Sequence, residues 1–189
     1  MAPWILFAVA AAAAQTLRFM LQKRLSLGGL SAGGSTLARF LYSAPLAAAA
    51  ALAWAGASGQ ALPGLPAAFW PYAMAGGLAQ ILATVCVLMI FARRNFAVGI
   101  TLKKTEVLMA VPVGLVLLGD GVAWPALLAM TGGFAGVVLL SGTPGRGWRL
   151  WSASAGLGLA SGLLFAVSGV GYRGASLSLG QGDAALRAL

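Results

Sequence analysis

Apolar runs of about 20 residues recur along this chain, and that is the length a helix needs to cross the hydrocarbon of a bilayer. Six such runs are legible: Pro3 to Leu21, Ser35 to Ala55, Ala67 to Phe91, Phe96 to Leu118, Trp124 to Ser141 and Leu150 to Gly171. Short stretches rich in Gly, Pro and Arg separate them, such as GASGQALPGLP at 56–66 and GDGVAWP at 119–125. The chain is 60% hydrophobic and 8% charged, with a mean hydropathy of +0.93. A soluble domain carries about a quarter charged residues and could not hide this much apolar surface. The pattern predicts an all-α integral membrane protein, a polytopic bundle of about six transmembrane helices with the lipid bilayer as its surroundings.

Charge sorts with the loops. The net charge is +9, from 12 basic and 3 acidic residues. Nucleic-acid binding would gather the bases on one face of a soluble scaffold; here they sit mostly at the ends of apolar runs, so no nucleic-acid partner is expected. Arg18, Lys23 and Arg24 close the first run, Arg93 and Arg94 join the third to the fourth, and Arg146 and Arg149 join the fifth to the sixth. The opposite loops carry no Lys or Arg until Arg173. The positive-inside rule then puts the basic loops in the cytoplasm and the N-terminus outside. Trp124, Trp148 and Trp151 fall where interfacial aromatics sit. The first run has no basic residue before it, unlike a cleaved signal peptide, so it reads as a helix that stays.

Gly132/Gly136 and Gly158/Gly162 are each four apart, a spacing that lets helices approach closely in lipid. LSLG occurs at 25–28 and again at 177–180, each copy after an Ala/Gly-rich run and each followed by an arginine, Arg39 or Arg187. This order suggests that the sixth run restarts the pattern of the first. The chain then divides into a five-helix unit at 1–142, a linker at 143–149, and the start of a second unit at 150–189. Five is odd, so the second unit enters the membrane inverted, the plan of carriers whose site lies between repeats near the midplane.

ITLKKTEVLM (100–109) interrupts the fourth run with three ionisable groups. At about 1.5 Å per residue, Lys103 lies about 10 Å and Glu106 about 15 Å into a helix starting at Phe96. A charge at the bilayer centre costs about 2.5–3.5 kcal/mol on insertion scales. Lys103 and Glu106 are three apart and share a helix face, so they can pair. Two roles stay open for them: lining a substrate pathway or relaying a proton, and locking the helix to a neighbour. Lys104 reads as an anchor, and Arg39 as a residue that snorkels to the interface. Gln80 and Gln15 sit at membrane depth, where each could contact substrate or bond across helices. Pro112 frees a backbone carbonyl within the fourth run.

The stretch from LATVCVLMIFARRNF through AVGITLKKTEVLMAVPVGLVLLGD to MTGGFAGVVLLSG resembles the EamA family of the drug/metabolite transporter superfamily. The matching features are Ala92, Pro112, the Leu118-Gly119-Asp120 turn, where the family usually has Leu-Gly-Glu, and the Gly-rich fifth run with Gly133 and Gly136. The resemblance implies a ten-helix carrier of two inverted five-helix halves, of which this chain holds the first and the beginning of the second. Family members are usually drawn with both termini in the cytoplasm, and the loop charges here favour the other side for the N-terminus.

Enzyme chemistry is not expected. There is no His and one Cys, Cys86, so His/Cys zinc clusters, an intrachain disulfide and His-based triads are excluded. No phosphate-binding Gly-rich loop followed by Lys-Ser/Thr occurs. No cofactor and no metal are expected. The sequence reads as a secondary transporter of a small metabolite or drug-like solute in the inner (cytoplasmic) membrane, multi-pass, with Lys103, Glu106, Gln80 and Gln15 along the pathway and Pro112, Asp120, Gly132 and Gly136 as structural residues. Its partner would be a homodimer mate or a missing second half. The alternative is a non-transporting helper subunit or an inactive truncated remnant.

Overall fold

A computed structural model describes residues 3–29, 31–93, 96–141 and 153–180. All regular structure in them is helical: α1 (Pro3–Leu27), α2 (Ala32–Ser58), α3 (Phe69–Phe91), α4 (Phe96–Lys103), α5 (Glu106–Leu118), α6 (Trp124–Ser141) and α7 (Ala153–Ser178). Three of the described helices are long and apolar enough to cross a membrane: α2 over Thr36–Ser58, α3 and α7. The linker expected at 143–149, with Arg146, Arg149 and Trp148, lies outside the described residues, as do Arg94, Trp151 and Arg187.

Local chemistry sets the ends. Ser31 caps α2, its hydroxyl accepting from the Gly34 amide at 3.0 Å. Gly119 ends α5 at a φ of +70°, a backbone state that costs other residues more than glycine. There its amide donates to the Leu115 carbonyl at 3.1 Å and that of Asp120 to Gly114 at 3.3 Å. α1 and α7 run past the expected ends at Leu21 and Gly171, because polar residues at a membrane surface do not stop a helix whose backbone bonds are all internal. Both copies of LSLG lie at a helix C-terminus, followed or closed by a positive-φ glycine, Gly29 and Gly180. The fourth run divides into α4 and α5, a break the apolar pattern did not announce.

α7 forms the core. It lies antiparallel to α3, with Gly174 against the Tyr72 ring, Gly171 against the Gly76 backbone and Ser168 beside Gln80. It runs parallel to α4 and α5, with Gly158 on Gly99, Gly162 on the Lys103 carbonyl, the Thr105 hydroxyl and the Glu106 amide, and Val170 beside Gly114. A Cβ on Gly171 would stand 2.9 Å from Gly76 Cα, and one on Gly162 would stand 2.8 Å from Thr105 Oγ1. The expected close approach at Gly158 and Gly162 is therefore realised. Gly132 and Gly136, at the same spacing in α6, meet no atom within 4 Å among the described residues.

The inside is small and partly polar. Buried there are Ala83, Val87, Leu88 and Ile90 of α3 and Ala155, Ala166 and Ala175 of α7, together with Thr84, Thr101, Ser161 and Ser168. Large apolar side chains point outward: Leu37, Leu41, Leu46 and Leu52 of α2 are all more than half exposed. That inversion suits a molecule whose outer face meets hydrocarbon, where association rests on close packing and internal hydrogen bonds.

The packing also fixes the ends of the bundle. Because Ser154 and Gly158 meet Gly99, the start of α7 lies at the Arg93 end of α3. Arg173 lies at the opposite end, the first base the sequence places on that side. It is paired there, Nη1 standing 2.5 Å from Asp120 Oδ2.

Candidate functional site at a broken helix

The break between α4 and α5 is one tight turn. The Lys104 amide donates to the Thr101 carbonyl at 3.0 Å and the Thr105 amide to Leu102 at 3.1 Å, three-residue steps where an α-helix takes four. The Thr105 hydroxyl also donates to the Leu102 carbonyl at 2.7 Å, a second bond on the same acceptor that reinforces the turn. The Met109 amide then donates to Thr105 at 2.8 Å and the α pattern resumes. Gly162 of α7 presses on this turn, and Thr101, Leu102 and Thr105 are buried around it.

The turn presents the ionisable groups. Lys103 is 2% exposed, and its Nζ stands 2.9 Å from Glu106 Oε2 and 4.3 Å from the Phe165 ring centroid. The aromatic face and the carboxylate together hold the ammonium away from water. The pair expected from the spacing of three is thus present, although a helix break intervenes. Lys104 points outward and is exposed. Glu106 is half-buried and faces a cleft of about 470 Å³ between α5, α6 and α7. Val107, Val111, Phe165 and Val170 give the cleft apolar walls, and Asp120 and Arg173 stand at its far end.

A second polar group sits higher on α3. Ser168 Oγ donates to Gln80 Oε1 at 2.8 Å, joining α7 to α3. Thr84 Oγ1 donates to the Gln80 carbonyl at 2.8 Å and accepts from Arg39 Nη1 at 3.1 Å, joining α3 to α2. Arg39 was expected to snorkel; it is half-buried and bonded inward instead, with its guanidinium 4.8 Å from the Phe40 ring centroid. Arg18, on α1, is half-buried within electrostatic reach of Arg39, Glu106 and Lys103.

The structure therefore brings Lys103 and Glu106 together, and sets Gln80 in an interhelical hydrogen bond. Gln15 is exposed on α1, and Pro112 is exposed within α5. Gln80 and Gln15 do not line the cleft that Glu106 faces. The sequence reading passed over Arg18 as a site residue. No signal in the sequence marked it: with the first run ending near Leu21 it read as a closing base, and only the extension of α1 to Leu27 puts it nine residues inside the helix end. No group of three His, Cys, Asp or Glu side chains converges among the described residues.

Comparison with known proteins adds no identity: no family model, no curated protein and no solved structure matches the chain.

Proposed function

We propose that this chain is a secondary transporter of the EamA type, or the first part of one, moving a small metabolite or drug-like solute across the inner membrane. In this reading α1 to α3, the α4–α5 pair, α6 and α7 make six spans, the first five form one repeat, and α7 opens a second, inverted repeat. The observation that carries the reading is the helix broken over a buried Lys103–Glu106 pair beside a cleft. Irregular backbone at membrane depth is tolerated where protein buries it or a cavity receives it. Carriers place such discontinuous helices at their substrate sites. Glu106 is the acid that both faces the cleft and pairs with a buried base, which suits it to couple solute movement to a proton.

The test is uptake by vesicles containing the purified chain, using a panel of amino acids, sugars and amphiphilic drugs under an imposed proton gradient. Gradient-driven uptake of a panel member, lost in Glu106→Gln at equal protein content, supports the proposal. Uptake by the variant equal to that of the parent removes Glu106 from the mechanism, and no uptake above protein-free vesicles overturns transport by this chain.

A second reading, a non-transporting helper, draws support from α7. Its glycines Gly158 and Gly171 meet the backbones of α4 and α3 closely, a packing that favours a fixed arrangement of the three helices over parts that rock.

A further inference from the structure

The cleft between α5, α6 and α7 has two unlike ends. At the inner end Glu106 meets Lys103, and that pair is neutral within itself. At the outer end Asp120 and Arg173 form a fork, Nη1 standing 2.5 Å from Oδ2 and Nη2 3.4 Å from Oδ1. This second pair is open to solvent, the Arg173 side chain being 59% exposed. Trp70, at the start of α3, and Trp124, at the start of α6, are exposed at that end of the bundle. Exposed tryptophans of a spanning bundle sit at headgroup level, and the Asp120–Arg173 pair is level with them. Between the two ends the walls are apolar, with Val111, Phe165 and Val170.

The dimensions fit one acyl chain. Gly162 touches the Glu106 amide, and Arg173 follows Gly162 by eleven residues along α7. That is about 16 Å of helix, close to half of a hydrocarbon core of about 30 Å, so the cleft runs the depth of one leaflet. Its volume of about 470 Å³ takes about three benzene-sized groups, or about 18 carbon atoms, since a cavity of about 150 Å³ holds one. We propose that the cleft seats one tail of a phospholipid from the leaflet at the Arg173 end, whose head carries a phosphate and a primary ammonium. The head exchanges partners with the ion pair. Phosphate oxygens take the Arg173 fork two at a time, and the ammonium, with three N–H donors, takes the Asp120 carboxylate. An exposed ion pair is held weakly enough to open for this. An anionic head supplies only half of the match and leaves Asp120 beside a phosphate with no cation. A quaternary ammonium keeps the charge and has no N–H to donate. The second tail stays in the bilayer. The inference does not rest on transport, and its test reads binding alone, so either can fail without the other.

The experiment is thermal unfolding of the full chain, freed of native lipid, in neutral detergent with phosphatidylethanolamine, phosphatidylcholine or phosphatidylglycerol of matched tails. The parent is expected to melt highest with phosphatidylethanolamine. It should need about tenfold more phosphatidylglycerol for the same rise, the loss of one charge-assisted contact, and phosphatidylcholine should fall between. Asp120→Asn should reverse the order of the first and last, because Arg173 then meets an anion with no carboxylate beside it. Arg173→Gln should lower the response to all three. Both variants should fold as the parent does, since the pair is exposed. Gly169→Leu probes the cleft itself. A Cβ at Gly169, which lines the cleft, meets nothing within 4 Å among the described residues. The larger side chain therefore enters the cleft without displacing a helix, and should weaken the response to every lipid. Arg24→Gln, in the exposed last turn of α1, should respond like the parent. No rise with any lipid, equal rises with all three, a stronger rise of the parent with phosphatidylglycerol, an order unchanged by Asp120→Asn, or a full response in Gly169→Leu each overturns the site.

Discussion

Replacing Gly158 by alanine tests how α7 is held. A Cβ at that position would fall on the Gly99 carbonyl oxygen and stand 3.0 Å from Gly99 Cα and 3.1 Å from its carbonyl carbon. All three obstacles are backbone, so no side-chain rotation relieves them. Ordinary carbon contacts lie at about 3.5–4.0 Å, so α7 and α4 must part by about 0.5–1 Å, which forfeits a quarter to a half of each dispersion contact along the seam. Overpacking of this kind costs about 1–3 kcal/mol. Alanine returns part of it, since it is about 1 kcal/mol better than glycine in a helix. Gly132→Ala is the matched control, because its Cβ meets nothing within 4 Å among the described residues and it receives the propensity gain alone. The two variants should therefore differ by about 1–3 kcal/mol, with Gly158→Ala the less stable. Unfolding in mixed micelles titrated with dodecyl sulfate and followed by tryptophan fluorescence measures the difference. A Gly158→Ala protein as stable as Gly132→Ala would refute the account of α7 as a helix seated by backbone contact.

Other perturbations separate the remaining interactions. Lys103→Met should cost about 3–5 kcal/mol in the same titration, the range for breaking a buried pair, and Lys103→Met with Glu106→Gln should restore more than half of that. Asp120→Asn should change stability by less than about 1 kcal/mol, because its pair with Arg173 is exposed to solvent, whereas Gly119→Ala next to it should cost more by forcing alanine to a φ of +70°. Ser168→Ala should cost about 1–3 kcal/mol by leaving the Gln80 side-chain oxygen without its donor, and Ser58→Ala, whose hydroxyl only bonds back to its own exposed helix, should be near neutral.

How far the sequence foretold this arrangement depends on the range of the interaction. Helices announced themselves because a span needs a fixed length of apolar residues, and that length is visible in one dimension. The Lys103–Glu106 pair was legible because a spacing of three survives a change from α to a tighter turn. The break itself was not, since Lys103, Lys104 and Glu106 are as compatible with an unbroken helix as with a turn, and Gly162, which packs on the turn, lies far along the chain. Spacing of glycines alone does not say which are used: Gly158 and Gly162 meet a neighbour, while Gly132 and Gly136, equal on paper, meet no atom within 4 Å among the described residues. Whether a small residue is used depends on what another helix brings to it. Arg39 shows the same limit, for its hydroxyl partner Thr84 lies on a different helix.

The seating of α7 bears on how the molecule comes into being. α3 and α4 hold the surfaces that α7 fills, yet they are synthesised long before it. During that interval Gly76, Gly99 and the Lys103–Glu106 turn have no Gly171, Gly158 or Gly162 to cover them. Contacts this distant in sequence form slowly, and surfaces left waiting invite wrong partners. A nascent chain arrested before Ala153 would thus hold several inserted helices and no interior, and would be a natural substrate for membrane quality control.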